Sequence, residues 1–146
     1  MIFVTIGTGK FDKLVKKADE LSKEIKEKII IQIGKSKYLP KNADFFEFTE
    51  NFENYVKKAR VVISHGGAGT IFDLLRKQKK IIALANLNRI DNHQGEILGE
   101  LEKEDCLIYC RNFKLKESLE KIKSFKFKKY EKPECWIDKE IINFLD

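Results

Sequence analysis

Cysteine, histidine and long apolar runs are all scarce in this chain of 146 residues. Its three cysteines (Cys106, Cys110 and Cys135) are odd in number and form no Cys-x-x-Cys pair, and the only two histidines are His65 and His93. That scarcity argues against a disulfide framework and a structural zinc site, and leaves reduced, buried cysteine as the plain reading. No stretch approaches the roughly 18–20 apolar residues that cross a bilayer. The opening MIFVTIGTGKFDKL has too short an apolar part for a secretory leader and no small-residue cleavage site after it, so a cytoplasmic protein is expected. Internal repeats and low-complexity tracts are missing too. A nucleic-acid reader needs a basic stripe with stacking aromatics or a known module, and neither is found, so no nucleic-acid partner is expected.

What is present suits one folded domain: 42% of residues are hydrophobic and 36% charged. The net charge of +6 comes from dispersed lysines such as Lys13, Lys16, Lys17, Lys23, Lys26 and Lys28. Dispersed lysine reads as a solvated surface, and it also suits an anionic substrate or lipid headgroups.

Short β-branched runs alternate with longer amphipathic stretches. Strands are expected at 2–6, 29–33, 45–48, 61–64, 81–85 and 106–109. Helices are expected at about 11–28, 52–58, 68–77, 90–104 and 115–125. Continuous apolar strands separated by helices predict an α/β fold, a Rossmann-like parallel sheet with helices on both faces. The segment KFKKYEKPE, from Lys126 to Glu134, resembles a linker. It divides a body of residues 1–125 from a final stretch, 126–146, whose Trp136, Ile137, Ile141, Ile142 and Leu145 recur at helical spacing. That last helix either docks on a partner or packs back on its own domain.

In such folds ligands bind at the carboxyl ends of the strands. Three loops there carry polar or glycine-rich chemistry. Gly7-Thr8-Gly9 precedes a helix whose free N–H groups suit a phosphate, although a plain turn explains the motif as well. Ser64-His65-Gly66-Gly67-Ala68-Gly69-Thr70 again joins strand to helix. Three glycines within four residues cost conformational entropy and suggest backbone wrapped around a ligand, with a diphosphate the natural occupant. The segment is neither the dinucleotide GxGxxG pattern nor a P-loop, which needs a lysine. His65 is either a phosphate contact or a structural histidine. Asp73, one turn into that helix, is either a ribose-diol acceptor or a complement to the helix dipole. Finally, Asp91, Asn92, His93 and Gln94 stack four polar side chains at a helix start. One would serve as a cap, and the rest suit sugar hydroxyls.

The motifs VTIGTGKFDKLV, IQIGKSKY, ARVVISHGGAGTIFDLL and DNHQGEILGEL, in this order and over residues 2–105, together resemble the C-terminal domain of glycosyltransferase family 28. Within that family the motifs resemble the soluble subunits of two-part transferases that build lipid-linked oligosaccharides and exopolysaccharides. The resemblance implies the donor-binding half of a GT-B enzyme. Its reaction would be inverting transfer of a hexose or N-acetylhexosamine (N-acetylglucosamine foremost) from a UDP-sugar to a polyprenyl- or dolichyl-diphosphate-linked sugar. A separate membrane-anchored subunit would bind that acceptor and recruit this chain peripherally to the membrane. A non-catalytic UDP-sugar-binding regulatory subunit of the same fold is the alternative.

No metal and no cofactor is implied. Carried over residue by residue, the resemblance gives the diphosphate to Gly7, Thr8, Ser64, Gly66, Gly67, Gly69 and Thr70. It gives the ribose to Asp73, where relatives have a longer glutamate, and the uracil loop to Thr49, Asn51 and Phe52. The donor sugar falls to Asn92, His93 and Gln94. Gly7 and Thr8, with Phe11 and Asp12 behind them, would line the cleft facing the acceptor. His65 is the one candidate catalytic side chain, and the general base would come from the partner.

Overall fold

The computed structural model describes residues 1–87 and 93–131. Six parallel strands form one sheet: β1 (Ile2–Thr5), β2 (Ile29–Gln32), β3 (Asp44–Phe46), β4 (Val61–His65), β5 (Ile81–Leu84) and β6 (Ile108–Tyr109). Their spatial order is β3-β2-β1-β4-β5-β6. Between them run α1 (Asp12–Glu24), α2 (Phe52–Lys58), α3 (Ala68–Arg76) and α4 (His93–Lys103), and α5 (Leu115–Ile122) follows β6.

The period of two along each strand assigns side chains to the two faces. Ile2, Val4, Val61, Ile63, Ile82 and Leu84 point to one core with α1 and α5. Phe3, Val62, Ile81 and Ala83 point to a second core with α2, α3 and α4. Both faces are therefore covered, and the near-continuous burial of β1, β4 and β5 follows from it. Burying each large aliphatic or aromatic side chain is worth roughly 1.5–3 kcal/mol, so these two layers outweigh any surface ion pair in stability.

The expected helices and strands are all present within the described residues, with shifted ends. Helix α1 stops at Glu24, four residues short of the expectation, because Ile25 turns to extended backbone (φ −125°, ψ 154°) and leads the chain into β2. The stretch taken as a linker behaves differently over residues 126–131. Phe125 and Phe127 pack on the α1/α5 core and Tyr130 on the α3/α4 core. The Lys128 N–H donates to the Asp105 carbonyl at 2.9 Å. This segment binds to the body and crosses from one face to the other. Cys135 and the expected C-terminal helix lie outside the described residues, while Cys106 and Cys110 are free and buried, as expected.

Candidate functional site

Strands β1 and β4 lie side by side at the centre of the sheet, and the strand order reverses between them. Crevices in open parallel sheets form at the carboxyl ends of such a pair. Each of the two strands leaves through a glycine turn into a helix. The β1 turn opens at Gly7, whose φ of +69° is a left-handed conformation that favours glycine. The Gly7 N–H donates to Thr5 Oγ1 (3.1 Å), and the Thr5 hydroxyl donates to Gln32 Oε1 (2.9 Å). The β4 turn runs from His65 through Gly66 and Gly67 to α3.

The glycines of the two turns serve different needs. A Cβ on Gly7 would lie 2.8 Å from His65 Cε1, and one on Gly67 would collide with His65 Nε2. The imidazole therefore packs against both turns. A Cβ on Gly66 would lie 3.0 Å from Gln94 Cβ and from Leu98 Cδ1, so α4 needs that glycine to approach β4. Internal packing thus accounts for Gly66 and Gly67, which corrects the expectation that the whole cluster exists to wrap a ligand. Gly69 is the exception: it is exposed, and an added Cβ would meet no atom within 4 Å. Helix α3 carries no side-chain cap. Its first helical bond runs from the Ile71 N–H to the Gly67 carbonyl (3.0 Å), which leaves the Ala68, Gly69 and Thr70 amides outside the ladder. Ser64 is a second correction. Its side chain is 0% exposed and its hydroxyl donates to the His65 carbonyl (2.8 Å), so it presents nothing to a ligand.

A cleft of about 580 Å³ opens beside these turns, lined by Thr8, Gly9, Lys10, Phe11, Asp12, Lys13, His65, Asn86 and Gln94, with Ile6 at its floor. Gln94, only 8% exposed, accepts the Asn86 N–H on Oε1 at 2.9 Å. That bond ties the start of α4 to the loop leaving β5. Asn86 Nδ2 in turn donates to the Lys10 carbonyl (3.2 Å), joining the β5 and β1 loops across the cleft. His93 sits 3.7 Å from Glu96, one turn along α4. Asn92 lies outside the described residues.

The loop after β3 and the first turns of α3 meet on the other side of β4. The Asn51 N–H donates to Thr49 Oγ1 (2.9 Å), closing a tight turn into α2, and Phe52 packs edge-on against Phe3 at 5.6 Å. Lys77 bridges the two regions, pairing with Asp73 at 2.6 Å and with Glu53. Burial alone would push the Lys77 ammonium down, but the two carboxylates outweigh it and hold its pKa above the ordinary value. Lys77 was missed in the sequence, although its i,i+4 spacing from Asp73 signals it. Asn86, Lys10 and Gly34 were missed too. Gly34 (φ +56°) lets the β2 loop press on the Gly9 carbonyl, and no local pattern announces that.

A doubly wound α/β sheet with glycine turns at its switch point defines a Rossmann-like domain. The profile of the glycosyltransferase family 28 C-terminal domain matches residues 1–143, and the chain belongs to that family. The match runs well past residue 105, further than the motifs suggested. Human "UDP-N-acetylglucosamine transferase subunit ALG13" is 34% identical over 75% of this chain. The Debaryomyces hansenii protein of the same name is 32% identical over 68%. The chain spans only 11% of the human protein and 43% of the yeast one. Among solved structures, ALG13 in solution aligns at a TM-score of 0.56 with 20% identity, over 99% of this chain and 94% of that one. Acinetobacter baumannii MurG aligns at 0.58 with 17% identity, over 82% and 40%. At such identities the two structures speak to the fold, and both share it. Among the described residues no helix is long and apolar enough to cross a membrane, and no group of side chains could hold a metal ion.

Proposed function

We propose that this chain binds the UDP-sugar donor, with UDP-N-acetylglucosamine foremost, for an inverting transferase whose acceptor is a polyprenyl- or dolichyl-diphosphate-linked sugar. A membrane-anchored partner subunit holds that acceptor, supplies the general base and recruits this chain to the membrane. The observation that carries the reading is Gly69: an exposed glycine in the first turn of an uncapped helix, next to free amides, with no internal contact that demands glycine. In this reading the donor diphosphate lies against the Gly67–Thr70 turn, where amides and helix dipole stabilise the charge developing on the leaving group. Asp73 meets the ribose, the 49–52 loop the uracil, and Asn92, His93 and Gln94 the hexose. His65, wedged between the Gly7 and Gly67 turns, fixes their separation and lies beside the diphosphate; Thr8 closes the cleft. The relatives named as transferase subunits support the donor and the need for a partner.

Gly69→Ala is the sharpest test, because the new methyl meets only space that a ligand would fill. Calorimetric titration with UDP and UDP-N-acetylglucosamine should show affinity falling about tenfold or more, equivalent to at least about 1.4 kcal/mol. Thermal stability should hold or rise, since alanine in a helix gains roughly 0.5–1 kcal/mol over glycine. Undiminished UDP affinity in a folded Gly69→Ala protein would remove the diphosphate from this turn.

A further inference from the structure

The cleft extends away from the α3 turn toward the start of α1, on the opposite face of the sheet from α2 and α3. Lys10 and Lys13 line that end. Both are exposed, and neither forms an ion pair among the described residues. Lys13 is placed by a ring instead of by a carboxylate: its ammonium stands 4.2 Å from the Phe113 ring centroid. Asp12 lines the same end, its Oδ1 accepting the Lys37 and Tyr38 N–H groups at 2.7 Å each, so one carboxylate stands against two ammonium groups. At the junction of the two ends stands Gln94, nine-tenths buried. Its oxygen is taken by Asn86, and its amide N–H groups donate to no described protein group. That amide faces the cleft, where water or a ligand can accept from it.

We infer that this α1 end is a second anion subsite, and that Lys10 and Lys13 hold the diphosphate of the acceptor while the α3 turn holds that of the donor. The inference rests on the donor reading above and adds the acceptor's charged group to this chain's own contacts. The chemistry of the acceptor fits the layout. When a sugar hydroxyl attacks the donor's anomeric carbon, the acceptor's own diphosphate trails one sugar ring behind it. A cationic subsite must then lie about a ring's length beyond the hexose position, on the side away from the donor diphosphate. Lys10 and Lys13 line the cleft together with Gln94 and with His65, whose ring packs on the Gly67 turn. Ammonium groups on flexible stems bind phosphate as point charges and follow it as it moves.

The test uses the full chain with two soluble probes, inorganic pyrophosphate and geranyl diphosphate. In the wild type saturated with UDP, calorimetry should still detect binding of both probes. In Lys10→Gln/Lys13→Gln, probe affinity should fall about tenfold or more, the loss expected for two charge-assisted contacts. UDP affinity should stay within about twofold, because the α3 turn is untouched. Displacement of the probes by UDP would show a single diphosphate site and overturn the inference. Probe binding that survives the double substitution would overturn it equally. If UDP itself failed to bind, the donor reading would fall, while lysine-dependent probe binding to the empty chain would still report the subsite separately. Stronger binding of geranyl diphosphate than of pyrophosphate identifies an isoprenoid diphosphate as the source; the reverse order identifies the free anion and sinks the acceptor assignment.

Discussion

Helices α1 and α3 begin alike and end up doing opposite things. Each follows a central strand through a glycine turn, and each lacks a side-chain cap at its start. Around α1 the flanking loop and the helix acids are tied inward, while the Lys10 and Lys13 side chains stay exposed on the cleft. The Lys35 N–H donates to the Gly9 carbonyl (2.8 Å) and the Phe11 N–H to Ser36 Oγ (2.9 Å). Asp12 and Asp19, two turns apart on the same side, gather the amides of the β2–β3 loop. Around α3 the first turn is left open and its one acid, Asp73, meets a lysine at the surface. One strand end is a braced floor and the other a turn with donors to spare. The first-turn amides lie outside the ladder in both helices, so the two units differ in how the flanking loops are braced and not in the helix start itself.

Breaking the braced side should cost the most. Asp19 is 0% exposed and accepts from the Tyr38 hydroxyl (2.8 Å), the Asn42 side chain and the amides of Lys41, Asn42 and Ala43 (2.8–3.0 Å). Asp19→Ala strands several donors, and urea denaturation should show a loss of about 3 kcal/mol. Acid should reveal the same bonds. Burial would raise the Asp19 pKa, but these hydrogen bonds outweigh it and hold it below the ordinary value. Glu27 is held at about 2, chiefly by the Arg60 guanidinium against the opposing effect of burial. Both folded values lie below the unfolded ones, so their stabilisation is complete above the ordinary carboxylate range and disappears as pH falls through the folded pKa. The urea midpoint of the wild type should therefore fall from about pH 4.5 down to about 2, and more shallowly in Asp19→Ala. Equal acid slopes in the two proteins would contradict the buried carboxylate's role.

A pair of identical substitutions sharpens the contrast next. At Gly34 an alanine would need φ +56° and would put its methyl 2.5 Å from the Gly9 carbonyl and 2.6 Å from Ile6 Cδ1. Gly34→Ala should destabilise by about 2 kcal/mol. Gly69→Ala should stabilise slightly while it weakens nucleotide binding. Opposite signs in differential scanning calorimetry would confirm that one glycine serves the fold and the other a ligand. Matching signs would erase the distinction.

How far the sequence foretells this follows from the range of the interactions. Periodicity places α2 at Phe52–Lys58 and starts β4 at Val61, because burial on one face is a local pattern. It also reads α1's apolar stripe of Leu14, Val15, Ala18 and Leu21 correctly. Asp19 beside that stripe reads as one more solvated charge, and only the docking of residues 38–43, twenty or so positions away, turns it into a buried hub. The glycine cluster has the same limit. Composition reveals that backbone must come close to something at Gly66 and Gly67, but not that the something is Gln94, Leu98 and the His65 ring. Ser64 looked available for the same reason, since a polar residue at a strand end carries no sign of which way it faces. The family motifs compensate in part, as they fix the order of the loops around the crevice without giving their contacts.

The smallest expected effect concerns the surface bridge on the open side. Lys77 joins Asp73 on α3 to Glu53 on α2, with side chains 28%, 41% and 69% exposed. Exposed pairs of this kind contribute roughly 0–1 kcal/mol to stability, so Lys77→Met should leave the melting temperature nearly unchanged. Its consequence should appear in binding. If the proposed donor contacts hold, the bridge keeps Asp73 in one place beside the 49–52 loop, and less freedom is lost when a ribose arrives. Lys77→Met should therefore weaken UDP by about threefold, while inorganic pyrophosphate, which has no ribose, binds as before. Tighter UDP binding in Lys77→Met would mean that the lysine competes with the nucleotide for Asp73. The open side would then be partly occupied by the protein's own charges, and the contrast with α1 would narrow to the glycine turn alone.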